Sequence, residues 1–158
     1  MKLLIDADGC PVTNIAVRTA VKFGIEWVII CDTAHSIVRE GARTITVDKG
    51  ADSADLRLVN LVSAGDIVVT QDYGLAAMCL SKNAVVLNQD GRRYTQENIS
   101  GLLEFRAISA KIRRSGGRTK GLSKRTKQQD VDFEAALCRS IAERECWMNR
   151  SAKQITLA

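Results

Sequence analysis

Aspartate is the residue type whose placement in this chain could do chemistry. Asp6 and Asp8 follow the apolar run Leu3-Leu4-Ile5, and Asp48 follows Val47 with Asp52 and Asp55 just beyond. Asp72 follows a run ending near Thr70, and Asn88 and Asp90 follow one ending near Leu87. If these runs are neighbouring parallel strands, carboxylates collect after four of them, on the edge where open α/β sheets form their ligand crevices. Hard cations such as magnesium and manganese take oxygen ligands, usually one or two carboxylates plus waters, so converging aspartates suit them.

Each acid also has a structural explanation. Asp8, Asp52 and Asp72 sit just before expected helices, where an aspartate side chain accepts from free backbone N–H groups and stabilises the helix by about 1 kcal/mol. Asp55 lies three residues after Asp52, where a capping box places an acid. Asp6 differs: it ends a buried strand with no helix start beside it, a costly position unless the carboxylate is paired or bound to a cation.

Other chemistries find little support. The single histidine, His35, falls in an expected surface loop and supplies neither a triad nor a zinc cluster. No glycine-rich phosphate loop, G-x-S-x-G elbow or dinucleotide fingerprint is present. The five cysteines are odd in number, scattered and never spaced C-x-x-C, so they read as small core residues and not as a disulfide framework or zinc site. Cys10 lies beside the acids, where negative charge disfavours a thiolate.

The elements that must position these residues alternate in the manner of βαβ units. Leu3 to Ile5, Trp27 to Cys31, Ile67 to Val69 and Ala84 to Leu87 are short and continuously apolar, as strands covered on both faces should be. Thr44 to Val47 alternates polar with apolar and is expected near an edge. Helices are expected from Val12 to Phe23 with Pro11 in the first turn, from Ser53 to Val62, from Leu75 to Ser81, from Gln96 to Arg114 with Gly101 a potential break, and from Lys127 to Asn149. The 158 residues fit one domain over 1–150, with a frayed tail over 151–158. No apolar run approaches the about 18 residues of a membrane span and no signal peptide opens the chain, so a cytoplasmic protein with no membrane partner is expected. Nothing in the sequence speaks to an oligomeric state.

Charge is unevenly distributed. Eight of the 23 lysines and arginines fall in a basic loop segment over 111–127, while all 18 acids lie elsewhere. Such a block can be a solvated charge run; it can also serve a polyanion, since lysine and arginine clusters displace counterions from phosphate backbones.

The stretches Ile5-Asp6-Ala7-Asp8-Gly9-Cys10-Pro11-Val12, Gly50-Ala51-Asp52-Ser53-Ala54-Asp55 and Gly65-Asp66-Ile67-Val68-Val69-Thr70-Gln71-Asp72 resemble the YaiI/YqxD family of bacterial proteins. Leu87-Asn88, Tyr94-Thr95, Glu97-Asn98-Ile99 and Ser123-Lys124-Arg125 extend the resemblance to about Ile141. That family brings no established activity. It implies a three-layer, PIN-like α/β domain with a central, mostly parallel sheet flanked by helices, and many PIN-like domains are metal-dependent ribonucleases. On that pattern Asp6, Asp55 and Asp72 are the catalytic matches, and Asp6, Asp8, Asp52, Asp55 and Asp72 the ligands of Mg2+ or Mn2+. The reaction implied is in-line hydrolysis of a phosphodiester. RNA is then the expected partner, with Arg118, Lys120, Lys124 and Arg125 neutralising its phosphates. Aromatic residues make up only 4% of the chain, so base stacking is not expected to dominate.

Two other functions compete. Leu3 to Gly9 also resembles the opening motif of haloacid-dehalogenase-type phosphohydrolases, with Asp6 as nucleophile and Asp8 as acid, although here Cys10-Pro11 leads straight into a helix where that motif runs on into a threonine and a flap. A non-catalytic RNA-binding or regulatory module would use the basic segment and leave the acids as caps.

Overall fold

Apolar runs alternating with helix-spaced ones build a single six-stranded sheet. A computed structural model of the chain describes residues 1–8, 10–32, 43–47, 53–116 and 124–155. Strands β1 (Lys2–Asp6), β2 (Glu26–Asp32), β3 (Arg43–Val47), β4 (Ile67–Val69), β5 (Val85–Leu87) and β6 (Arg93–Tyr94) alternate with helices α1 (Thr13–Phe23), α2 (Ser53–Leu61), α3 (Tyr73–Ser81), α4 (Gln96–Arg114) and α5 (Lys127–Ile155). The strand order is β3-β2-β1-β4-β5-β6, with every pairing parallel except β5 with β6. The chain winds outward through β2 and β3, then crosses to the far side of β1 to lay down β4 and β5. The carboxyl ends of β1 and β4 therefore flank the switch point of the sheet, the place where such folds bind ligands.

The two-residue period of a strand divides the core into two halves. Leu3, Ile5, Ile67 and Val69 face α1 and the Phe133, Leu137 and Ile141 stripe of α5. Leu4, Val68 and Val86 face Leu58 of α2, Leu75 and Cys79 of α3 and Ile99 of α4. The result is a three-layer α/β sandwich. Leu3, Leu4 and Ile5 are fully buried, and truncating any of them to alanine would cost about 2–5 kcal/mol. The same period puts Asp6 on the Leu4 face and Thr70 on the Val68 face, turning both toward α2 and α3.

Several boundaries differ from the sequence reading. Helix α1 begins at Thr13, so Pro11 lies in the turn before it, and its N-cap is Val12 with no side-chain hydrogen bond; Asp8 is not its cap. Helix α4 runs unbroken through Gly101, because the capping box of Thr95 and Asn98 secures its start and a glycine costs a helix interior only about 1 kcal/mol. Helix α5 runs on past the expected end at Asn149 to Ile155, with no glycine or proline to interrupt it. The two-residue β6 is too short to show in a sequence pattern. Gly91, at φ +77°, lets the β5–β6 turn close on α5, where an added Cβ would stand 2.7 Å from that of Ala136. Cys31 and Cys79 are buried as expected, but Cys146 is exposed on α5, and all five cysteines are free thiols. Among the described residues no helix is long and apolar enough to cross a membrane.

Candidate functional site

Asp6 is the last residue of β1, and Thr70 follows the last residue of the neighbouring β4. The buried Thr70 hydroxyl donates to Asp6 Oδ2 at 2.6 Å, and its oxygen accepts from the Asp72 backbone N–H at 3.0 Å. Asp72 then caps α3: its Oδ1 accepts from the N–H groups of Gly74 at 2.7 Å and Leu75 at 2.9 Å. Glycine at 74 permits this approach, since an added Cβ would meet Asp72 Oδ1 at 3.0 Å. The second oxygen, Oδ2, accepts from Arg106 Nη1 at 2.8 Å, across from α4.

A cleft of about 580 Å³ opens over these groups, lined by Asp6, Asp8, Asp55, Gln71, Asp72, Tyr73 and Arg106. The two best-fixed acids have opposite electrostatics. Burial, reinforced by the carboxylates of Asp55 and Asp8, raises the Asp6 pKa to about 6 against the lowering pull of the Thr70 hydrogen bond. Burial also works to raise Asp72, but the N–H groups of Leu75 and Gly74 together with the Arg106 guanidinium outweigh it and hold the carboxyl below its usual range. Asp6 accepts from the Thr70 hydroxyl and the Asp8 backbone N–H but stands near two other carboxylates, whereas Asp72 is paired with the Arg106 guanidinium.

Four of the five acids singled out from sequence, Asp6, Asp8, Asp55 and Asp72, thus share one cleft. Asp52, Asp48, His35, Arg118 and Lys120 lie outside the described residues. Among the described residues no group of three His, Cys, Asp or Glu side chains stands in metal-holding geometry. The donor chemistry still fits a hard dication held by one or two carboxylates and water: Asp55 and Asp8 both repel charge on Asp6, and a cation among them would relieve that repulsion. Asp72 does not fit as a ligand while Arg106 and two backbone N–H groups hold its oxygens.

The basic residues divide as well. Lys124 is exposed. Arg125 turns inward, its Nε to Asp130 Oδ1 at 2.7 Å, its Nη1 to Asp90 Oδ1 at 3.1 Å and its Nη2 to the Gln89 carbonyl at 2.8 Å. It fastens the start of α5 to the loop after β5, so its charge is largely committed within the fold. Burial raises the Cys10 thiol, which argues against a thiolate nucleophile.

Thr70, Tyr73 and Arg106 carry parts of the site that sequence reasoning did not assign. Thr70 had a readable signal, since it ends its strand on the same side as Asp6. Arg106 had none, because it lies 34 residues from Asp72 on a helix whose packing no local pattern reveals.

The model of the family described as "Uncharacterized BCR, YaiI/YqxD family" matches residues 4–143. This chain belongs to that family. Its relatives include a UPF0178 protein of Exiguobacterium sibiricum, 49% identical over 91% of this chain and 99% of that protein. Another from Ruminiclostridium cellulolyticum is 52% identical over 87% and 90% of the two chains, and one from Alkaliphilus oremlandii is 46% identical over 90% and 92%. No solved structure matches the chain. Membership of the YaiI/YqxD family agrees with the motifs read along the chain, and the family's description assigns no activity.

Proposed function

We propose that this YaiI/YqxD family member is a divalent-metal-dependent nuclease that hydrolyses RNA phosphodiesters on a PIN-like plan. The observation that carries the reading is the like-charged group at the switch point, where Asp55 and Asp8 help burial lift Asp6 to a pKa of about 6. A carboxyl shifted by burial and by neighbouring charge within a cleft marks a candidate functional site. Bound magnesium or manganese would supply Lewis-acid activation of a water and neutralise charge on the phosphoryl oxygens. Asp6, with Asp8 or Asp55 and waters completing the shell, would hold it. Thr70 fixes the orientation of the Asp6 carboxylate through the 2.6 Å hydrogen bond. Asp72 anchors the start of α3 and keeps the Arg106 guanidinium at the cleft rim, where a phosphate would meet positive charge. The exposed Lys111, Arg113 and Arg114 at the end of α4 extend that charge along the helix.

The test is cleavage of a labelled RNA by purified protein in manganese, in magnesium and in chelator. Cleavage that requires the metal and disappears in Asp6→Asn supports the reading. RNA that is bound equally in all three conditions and never cut would favour a non-catalytic binding module, for which the Asp72 cap and the exposed α4 cations already provide a rationale.

A further inference from the structure

A second concavity adjoins the carboxylate cleft. Helix α4 packs through Ile99 and Leu102, but from Leu103 onward none of its residues is fully buried. Phe105, Ile108 and Ile112 are 68%, 58% and 42% exposed, yet their spacing places them along one stripe of the helix. Contiguous exposed apolar surface rimmed by polar groups is a feature of interaction sites and ligand grooves. Here the stripe forms one wall of a groove of about 460 Å³, and Tyr73 at the start of α3 lines the groove with it. The Tyr73 ring is braced edge-on against buried Tyr94, with centroids 5.9 Å apart and planes at 73°.

Two features identify what such a groove would take. Arg106 and Arg113 both line it, and at 1.5 Å per residue they stand about 10 Å apart along the helix. Tyr73 and Arg106 also line the carboxylate cleft, so the groove and the cleft share a wall. Flat aromatic and aliphatic walls between two guanidinium groups match a planar, uncharged ring carried on a chain of anions.

We propose that this groove is a nucleobase subsite. The base stacks against Phe105 and Tyr73 over Ile108 and Ile112, and Arg106 and Arg113 take the phosphates on either side. The Arg106–Asp72 pair is half exposed, the kind of ion pair that contributes little to stability and is readily exchanged for a phosphate. A base within a duplex is already stacked and cannot enter, so the groove selects unpaired strands. The subsite deepens the nuclease reading by supplying its substrate class, but binding itself requires no metal.

Fluorescence anisotropy in EDTA, with a labelled eight-nucleotide RNA presented single-stranded or paired to its complement, tests the subsite apart from any cleavage. The wild-type chain should favour the single strand. Phe105→Ala should weaken single-strand binding about tenfold without changing duplex binding, Phe105→Trp should retain it, and Arg113→Ala should weaken it and flatten its salt dependence. Phe105 is exposed, so an unchanged melting temperature confirms an intact fold. The proposal is overturned if the wild type does not bind the single strand, if Phe105→Ala binds it as tightly as wild type, or if sedimentation shows a dimer that Phe105→Asp dissolves, which would make the stripe a self-association surface. Absence of metal-dependent cleavage with these binding results intact would remove the nuclease reading and leave the subsite standing.

Discussion

The Thr70 hydroxyl and the Asp6 carboxylate join the two strands flanking the cleft, at 2.6 Å. Because the same hydroxyl oxygen accepts the Asp72 N–H, one side chain orients the perturbed acid and the first residue of the α3 cap together. Thr70→Val keeps the shape and removes both bonds. The variant should lose about 1–3 kcal/mol of stability, since a partly buried N–H and a carboxylate oxygen lose their partner, and Asp6 should titrate above its present value of about 6. Urea melts and an NMR titration of the Asp6 carboxyl check both, and Thr70→Ser should restore them.

Asp6 also sets a pH dependence for the metal-free protein. Its carboxyl is raised from 3.8 to about 6, so the folded state holds this proton more tightly than the unfolded chain. Between these values, stability contributed by Asp6 falls as pH rises, and above about 6 the full penalty remains, on the order of 2 kcal/mol after allowance for solvent screening. Asp6→Asn should therefore flatten the stability profile between about pH 4 and 6 and make the metal-free protein more stable at pH 7. An unchanged slope in denaturant melts across that window would show that Asp6 is not strained by its neighbours.

Asp72 should behave oppositely. Its lowered pKa contributes stability that is present above the ordinary carboxylate range and lost as pH falls below about 3.8. Asp72→Ala removes a side-chain cap and should cost about 1 kcal/mol with metal or without it. Manganese at a hundred times its dissociation constant should stabilise the wild type by about 2.7 kcal/mol, a rise of several degrees in melting temperature. That rise should vanish in Asp6→Asn and persist in Asp72→Ala. If it vanishes in both, Arg106 releases Asp72 to the metal and the cap is only its resting state.

The four central strands were legible because each has a continuously apolar core, as strands covered on both faces do, and the polar alternation of Thr44 to Val47 placed β3 correctly at the edge. Asp72 was legible as a cap because Tyr73-Gly74-Leu75 begins a helix immediately after it. Asp8 was misread for the same kind of reason: Pro11 suggested an earlier start to α1, and the turn through Val12 moved the helix away from it. The Arg106–Asp72 pair and the Tyr73–Phe105 groove depend on how α4 crosses α3, a packing angle that periodicity does not encode. The low count of aromatic residues could not show that two of the few, Tyr73 and Phe105, line one groove.

The basic segment illustrates the difference between charge in a sequence and charge available to a ligand. Lys124 and Arg125 are neighbours in the chain and would each be expected to meet a phosphate, but Arg125 is held by Asp90, Asp130 and the Gln89 carbonyl, and its side chain is mostly covered. Arg125→Ala should cost about 1–3 kcal/mol of stability, because two carboxylates and a carbonyl lose a shared donor. Arg125→Lys should recover little of it, since a lysine ammonium cannot reproduce the three-way fork. Lys124→Ala should change stability by less than about 0.5 kcal/mol and reduce the salt dependence of RNA binding by about one phosphate contact. The double variant should then show a slope change of about one contact and not two. Urea melts together with a salt titration of RNA binding separate these roles. An Arg125→Ala variant that melts like wild type and lowers the salt slope as much as Lys124→Ala would mean that its guanidinium faces the nucleic acid, and that the contacts to Asp90 and Asp130 yield when RNA binds.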